Sequence, residues 1–79
     1  MKTMTTKDLK HWFTYHPPRA EDIKKYEALR VAGMHLSAMI LDYCPPSADR
    51  TDAIRKVREA VMTANAAIAC DPLPSDVNS

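Results

Sequence analysis

Apolar residues recur at steps of three and four along two long stretches of the chain. That spacing places them on one face of a helix. The first series is Leu29, Ala32, Leu36, Met39 and Tyr43, and the second is Ile54, Val57, Val61, Ala64 and Ile68. Because only a short connection containing Pro45 and Pro46 separates the two stretches, the helices are predicted to pair as an antiparallel hairpin along these series.

Prolines and a serine mark the predicted ends of the long helices. The first long helix is expected to begin near Pro18, because proline suits the first turn of a helix. It should run to about Tyr43, where the sequence Cys-Pro-Pro ends it. Ser47 is a predicted N-cap for the second long helix, which should extend from about Ala48 to Cys70.

A weaker pattern predicts a short helix over residues 5–13, ahead of the hairpin. Thr5 is the predicted N-cap, and Asp8 stands three residues later, which is the spacing of a capping box. Leu9, Trp12 and Phe13 would share one face of this helix.

A second apolar stripe remains after the hairpin seam is assigned. It consists of Val31, Met34, Ala38 and Leu41 on the first long helix, with Ala60, Met62, Ala66, Ala67 and Ala69 on the second. Monomeric proteins rarely expose so long an apolar patch. Small residues such as Gly33 would also let neighbouring helices approach closely. The predicted fold is therefore all-α, a short N-terminal helix plus a long antiparallel two-helix hairpin that assembles into a homo-oligomer.

The size and composition agree with a single small domain that gains from self-association. The chain has 79 residues, of which 46% are hydrophobic, and a chain this short rarely buries enough apolar surface alone. The domain is predicted over residues 1–71, and the polar, proline-containing residues 72–79 are predicted to be a disordered tail.

Charge and hydropathy narrow the classes of partner and compartment. A formal net charge of +1 gives no general attraction to DNA or to an anionic membrane. No apolar run approaches the roughly 20 residues that span a bilayer, and the N-terminus lacks the apolar core of a signal peptide. A cytoplasmic location is expected. Cys44 and Cys70 would lie about 30 Å apart at opposite ends of one helix, so they are expected to be reduced thiols.

The sequence carries no recognisable catalytic constellation, and the protein is expected not to be an enzyme. Motifs for phosphate loops, dinucleotide folds and zinc sites are missing. His11, His16 and His35 lack the spacing of metal ligands, and both cysteines lie far from them in the sequence. Neither a metal nor a cofactor is predicted.

The segment from Trp12 to Pro18 is the best candidate for binding. Tyr15 offers a ring face on which a nucleobase could stack, which is worth about 1–3 kcal/mol per base. Two prolines fix its backbone, so little entropy would be lost on binding. The alternative is that Tyr15 and His16 only cover the end of the helix pair.

Basic side chains follow this segment on the first long helix. Arg30 interrupts an apolar run, and its planar guanidinium suits bidentate contact with phosphate oxygens. A carboxylate such as that of Glu27 is the alternative partner for Arg30. Lys25 lies between the aromatic segment and Arg30, although lysines at such positions commonly form a solvated face.

Three ordered motifs resemble those of a known protein family. They are residues 13–18 (FTYHPP) followed by 25–30 (KYEALR), residues 41–47 (LDYCPPS) and residues 60–69 (AVMTANAAIA). Together they are similar to the phage anti-CBASS cyclic-oligonucleotide sponges, which share a helical hairpin with some anti-Thoeris sponges. The resemblance covers roughly residues 12–70.

The resemblance implies a small helical protein that assembles into a hexamer in the host bacterial cytoplasm. Such sponges bind cyclic dinucleotides between subunits, and in some members cyclic trinucleotides, without cleaving them, so CBASS effectors stay inactive. Carried over by position, Tyr15 is the implied base-stacking residue and Arg30 the implied phosphate contact, with His16 and Lys25 adjacent to them. Thr63 departs from the family, whose members often have tryptophan there, and this bears on the separate trinucleotide pocket.

Two other functions are compatible with the sequence. An oligomeric helical adaptor could use the exposed apolar stripe to bind a helix of a partner protein. A small nucleic-acid binder is the third alternative, and the near-zero net charge argues against it.

Overall fold

The computed structural model describes residues 3–71, and this range contains three helices and no strand. Helix α1 spans Thr6–Trp12, α2 spans Ala20–Tyr43 and α3 spans Ala48–Ala69. The predicted all-α hairpin with a short helix before it is confirmed. The predicted tail, residues 72–79, lies outside the described residues.

Local capping chemistry starts α1 and α3 where the sequence predicts. Thr5 and Asp8 form a reciprocal capping box, with the Thr5 amide donating to Asp8 Oδ2 at 3.0 Å and the Asp8 amide donating to Thr5 Oγ1 at 3.2 Å. The Ser47 hydroxyl accepts a hydrogen bond from the Arg50 amide at 3.1 Å and begins α3.

An ion pair stabilises the first turn of α2. Arg19 is the N-cap residue but makes no side-chain capping bond; its guanidinium instead donates to the Asp22 carboxylate at 2.7 and 3.3 Å. Asp22 is only 2% exposed. The hydrogen bond from Arg19 is the main cause that lowers the pKa of Asp22, because it favours the charged carboxylate.

Helices α2 and α3 approach closely where Gly33 faces α3. A Cβ atom at position 33 would lie 2.7 Å from Val61 Cγ2 and 3.7 Å from Val57 Cγ1. The first of these distances is shorter than any ordinary van der Waals contact, so only glycine fits here without a shift of the helices or of Val61.

The predicted α3 seam is confirmed. The predicted α2 seam lies to one side of the observed one and shares only Leu29 with it, although Ala32 and Leu36 still border the groove between the helices. On α3, the partly buried residues include Ile54, Val57, Val61, Ala64 and Ile68; on α2 they are Tyr26, Leu29, Gly33, Ser37 and Ile40. The residues expected in the α2 seam, Ala32, Leu36, Met39 and Tyr43, are exposed instead. Because α2 is apolar around most of its circumference, periodicity alone does not select its inner face. The inner face is set by the close approach of Val61 to Gly33.

The hairpin leaves two apolar flanks on α2 facing solvent. The Leu41 flank consists of Val31, Met34, Ala38 and Leu41, and the Leu36 flank consists of Ala32, Leu36, Met39 and Tyr43. Met34 is 74% and Tyr43 78% exposed. No hydrophobic residue of the described range is fully buried. One chain therefore lacks the closed apolar core of an ordinary small domain.

The close contact between Gly33 and Val61 predicts strong energetic coupling between these positions. Alanine at position 33 gains about 1 kcal/mol of helix propensity but overpacks the seam at a cost of about 1–3 kcal/mol. In a Val61→Ala background the methyl group has room, so Gly33→Ala should then stabilise the protein. A double-mutant cycle by chemical denaturation at fixed protein concentration should give a coupling of at least about 1 kcal/mol. Additive effects of the two substitutions would contradict this packing.

The Arg19–Asp22 pair predicts a specific loss of stability in acid. The unfolded Asp22 carboxyl has the ordinary pKa of 3.8, and the folded value is lower. The ion pair therefore stabilises the fold fully above about pH 3.8. This stabilisation is lost as the pH falls through the lowered pKa of Asp22 in the folded protein. Asp22→Asn should reduce stability at neutral pH and flatten its dependence on pH below that point. Asp42→Asn, an exposed change on the same helix, should keep the parental acid profile, and equal profiles for all three proteins would refute the role of Asp22.

Candidate functional site

Tyr15 lies in the linker between α1 and α2 and projects into solvent. Its side chain is 79% exposed, and Pro17 and Pro18 follow it in the same extended segment. A ring presented in this way is available to stack on a flat ligand or on a neighbouring subunit.

His16 is held against the end of the hairpin. Its Nε2 atom donates to the His11 carbonyl oxygen at 2.6 Å, and the two imidazole centroids are 4.2 Å apart. His11 Nε2 in turn donates to the Cys70 carbonyl oxygen at 2.8 Å. Each ring nitrogen must be the donor, because a carbonyl oxygen only accepts. This chain of contacts ties the linker that carries Tyr15 to α1 and to the end of α3.

Arg30 lies on α2 at the mouth of the groove between the two long helices. It lines a hollow of about 230 Å³ together with Met34, Arg58 and Met62, and a second hollow of about 320 Å³ together with Tyr26 and Asn65. The alternative that Glu27 pairs with Arg30 is not realised, since no ion pair of Arg30 occurs within residues 3–71. The guanidinium is thus available to an anionic ligand.

Asn65 lines the larger of these two hollows, the one of about 320 Å³. Its side-chain oxygen is buried and has no hydrogen-bond partner in the described part of the chain. A buried acceptor without a donor costs about 1–3 kcal/mol. Sequence reasoning did not select Asn65. The available signal was a lone amide within an alanine-rich run.

Arg58 also borders the hollow of about 230 Å³ that Arg30 lines. The two guanidinium groups line one mainly apolar depression and so raise the local positive potential in a chain of net charge +1.

The predicted site residues do not converge within one chain. Lys25 is exposed near the start of α2, and its charge contributes to lowering the pKa of Asp22. Arg30 comes five positions after Lys25, which places the two residues about 140° apart around the helix axis. Arg30 is ten residues beyond Ala20 and hence about 15 Å from the start of α2, and Tyr15 lines neither of its hollows.

Thr63 lines a different, largely apolar hollow. This hollow of about 560 Å³ lies between the end of α1 and the outer face of α3, with Trp12, Met62 and Ala66 among its walls. The small side chain at position 63 leaves this space open, where a tryptophan would occupy much of it.

Three metal-ligating side chains lie unexpectedly close together. His11, His16 and Cys70 place one ligand atom each within 4.8 Å of one another. The expectation that both cysteines are remote from the histidines is therefore wrong for Cys70, because the fold brings the end of α3 back to α1. Elsewhere, no helix in the described range is long and apolar enough to cross a membrane.

Comparison with known proteins identifies the family. The model of the Acb2/Tad1 hairpin domain matches residues 5–69, which include all three helices. No curated protein and no solved structure matches the chain. The matched family is that of the anti-CBASS and anti-Thoeris sponges, known for cyclic-oligonucleotide binding. With its helical hairpin and a match over most of its length, this chain belongs to the Acb2/Tad1 hairpin-domain family.

Proposed function

We propose that this protein binds cyclic oligonucleotide second messengers and sequesters them without cleavage, which keeps CBASS effectors inactive. The observation that carries the proposal is the hollow of about 320 Å³ lined by Arg30 and Asn65, where Arg30 makes no ion pair with any carboxylate of residues 3–71. A guanidinium fits a phosphate. Membership of a sponge family supports the same function. Its place of action would be the cytoplasm of an infected bacterium.

The hollow lined by Arg30 and Asn65 is too open and too small to enclose a whole cyclic dinucleotide. A second subunit would therefore have to complete the site. Tyr15 lies on the exposed linker rather than beside Arg30. In a symmetric interface, Tyr15 of one subunit can stack on a base while Arg30 of another contacts a phosphate. A two-fold interface supplies each residue twice, which suits a ligand with two bases and two phosphates.

The exposed apolar flanks of α2 support the proposal of self-assembly. The Leu41 flank and the Leu36 flank lie on opposite sides of the hairpin seam, so one neighbour cannot cover both. Contacts on two sides favour a closed assembly larger than a dimer, and we propose a hexamer. In this assembly His16 would position the linker, and Lys25 would add positive charge near the ligand.

Binding of cyclic di- and trinucleotides, measured by calorimetric titration, should depend on both named side chains. Tyr15→Ala removes a stacking ring and should weaken binding about 5- to 150-fold, equivalent to about 1–3 kcal/mol. Arg30→Ala removes a charge-assisted contact and should weaken it at least about tenfold.

Matched controls separate these contacts from general damage. Phe13 is an exposed aromatic residue close to Tyr15, at 86% against 79%, and lies outside both apolar flanks. Arg55 is an exposed arginine on α3. Phe13→Ala and Arg55→Ala should retain the parental affinity. Equal losses in the controls, or no binding to any cyclic nucleotide tested, would contradict the proposal.

Assembly should respond to charge placed on either apolar flank. Leu41→Glu and Met39→Glu each bury a carboxylate in the proposed interfaces, so each should lower the molar mass measured by light scattering at a given concentration. Lys24→Glu changes an exposed, already charged position on the side of α2 opposite the seam, and should keep the parental mass. A parental mass equal to that of a single 8.9 kDa chain would rule out the oligomer.

An oligomeric adaptor that binds a partner helix is the alternative function, and the exposed flanks favour it. It differs in one respect that the titration reveals: it gives no role to Arg30 and Asn65, and it predicts no affinity for cyclic nucleotides.

A further inference from the structure

Three side chains from separate parts of the chain meet at one end of the hairpin. His11 is in the last turn of α1, His16 is in the linker and Cys70 is the C-cap residue of α3. A ring nitrogen of each histidine and the Cys70 sulfur lie within 4.8 Å of one another. His11 and His16 are partly buried there rather than dispersed in solvent.

We propose that His11, His16 and Cys70 form a zinc site that pins α1 and the linker to the end of α3. Two imidazoles and a thiolate are ligands of the kind that Zn²⁺ prefers, and Mg²⁺ and Ca²⁺ prefer oxygen ligands. On binding, the Cys70 thiol releases its proton to solvent and the resulting thiolate coordinates the ion.

Coordination would use Nδ1 of each histidine, because Nε2 is already engaged in a hydrogen bond. His16 Nε2 donates to the His11 carbonyl and His11 Nε2 donates to the Cys70 carbonyl. In a neutral imidazole the other nitrogen, Nδ1, then carries a lone pair. Zinc-bound histidines in proteins nearly always make such a bond with the nitrogen that does not face the metal, because it fixes the tautomer and the ring orientation.

The distances require only a small contraction. Zn–N bonds of about 2.0–2.1 Å and Zn–S bonds of about 2.3 Å place tetrahedral ligands roughly 3.3–3.7 Å apart. The largest separation, 4.8 Å, would have to shorten by about 1.1–1.5 Å through side-chain movement. The three protein ligands leave a fourth position, which water can occupy.

Such a site would organise the linker that carries Tyr15. In the described residues, α1 is joined to α3 through the single hydrogen bond from His11 to the Cys70 carbonyl. A coordinated ion adds bonds between the same elements, and Tyr15 is the immediate neighbour of His16. Metal binding would therefore restrict the position of the Tyr15 ring before any ligand arrives.

The test uses the full chain without an affinity tag, with ZnCl₂ and CoCl₂ as probes. Wild type dialysed against zinc should retain about one ion per chain by elemental mass spectrometry. Zinc should also raise its thermal midpoint, since an ion that binds only the folded state stabilises it. Co²⁺ should give the visible bands of a tetrahedral site and the near-ultraviolet band of thiolate coordination.

Two variants and two matched controls locate the ion. Cys70→Ser and His16→Ala should bind zinc more than about tenfold more weakly, since even the loss of an outer partner costs about 10- to 100-fold. Cys70→Ser is nearly isosteric and keeps the backbone carbonyl that His11 bonds, so it leaves the helices intact, as circular dichroism would verify. Cys44→Ser and His35→Ala alter an exposed cysteine and an exposed histidine elsewhere and should bind zinc as the parent does.

Several outcomes would overturn the site. These are failure of the wild type to retain zinc, unchanged zinc affinity in Cys70→Ser, loss of the thiolate band in Cys44→Ser instead of Cys70→Ser, or an equal thermal shift with MgCl₂. None of these measurements depends on cyclic-nucleotide binding, so the zinc site and the sponge function are tested independently.

Discussion

A helix that is apolar on three sides can pack only one of them against a single partner helix, and α2 is in this position. Gly33 decides which side is used, because it alone lets Val61 approach within a distance that a Cβ would prevent. The Leu41 flank and the Leu36 flank then remain exposed on either side of the seam. Covering them would bury the apolar area that one chain leaves open, at about 25 cal/mol per Å². Self-association and ligand binding are thus proposed consequences of one packing choice.

The proposed ligand site follows from the same choice. Turning Gly33 towards α3 places Arg30 at the edge of the groove, beside Asn65 and Arg58, instead of on the far side of α2. The seam of small residues leaves space that a bulkier seam would fill. At the end of the hairpin where α1 meets Cys70, the hydrogen bonds of His11 and His16 hold the linker while Tyr15 stays exposed. The molecule presents charged and aromatic groups separately, as expected where two subunits complete one site.

Sequence reasoning succeeded where the determining interactions are local. Thr5 with Asp8 and Ser47 with Arg50 act within three residues. On α3 the large β-branched apolar residues lie on one face, so its seam is evident from periodicity. It failed on α2, whose inner face depends on a fit with Val61 that no local pattern encodes. Cys70 was missed as a neighbour of His11 because 59 residues separate them in the chain. Tyr15 and Arg30 could be selected by residue type and family resemblance, but Asn65 required the position of its unsatisfied oxygen.

Recovery of an intact ligand tests the central claim most directly. A cyclic dinucleotide or trinucleotide is mixed with a molar excess of the protein, passed through a filter that retains the protein, and then released from the retained fraction by heat denaturation. The account predicts that the nucleotide disappears from the filtrate and returns after heating as the unchanged cyclic compound, identified by chromatography and mass. Passage of every cyclic nucleotide through the filter, or release of linear products, would contradict sequestration without cleavage.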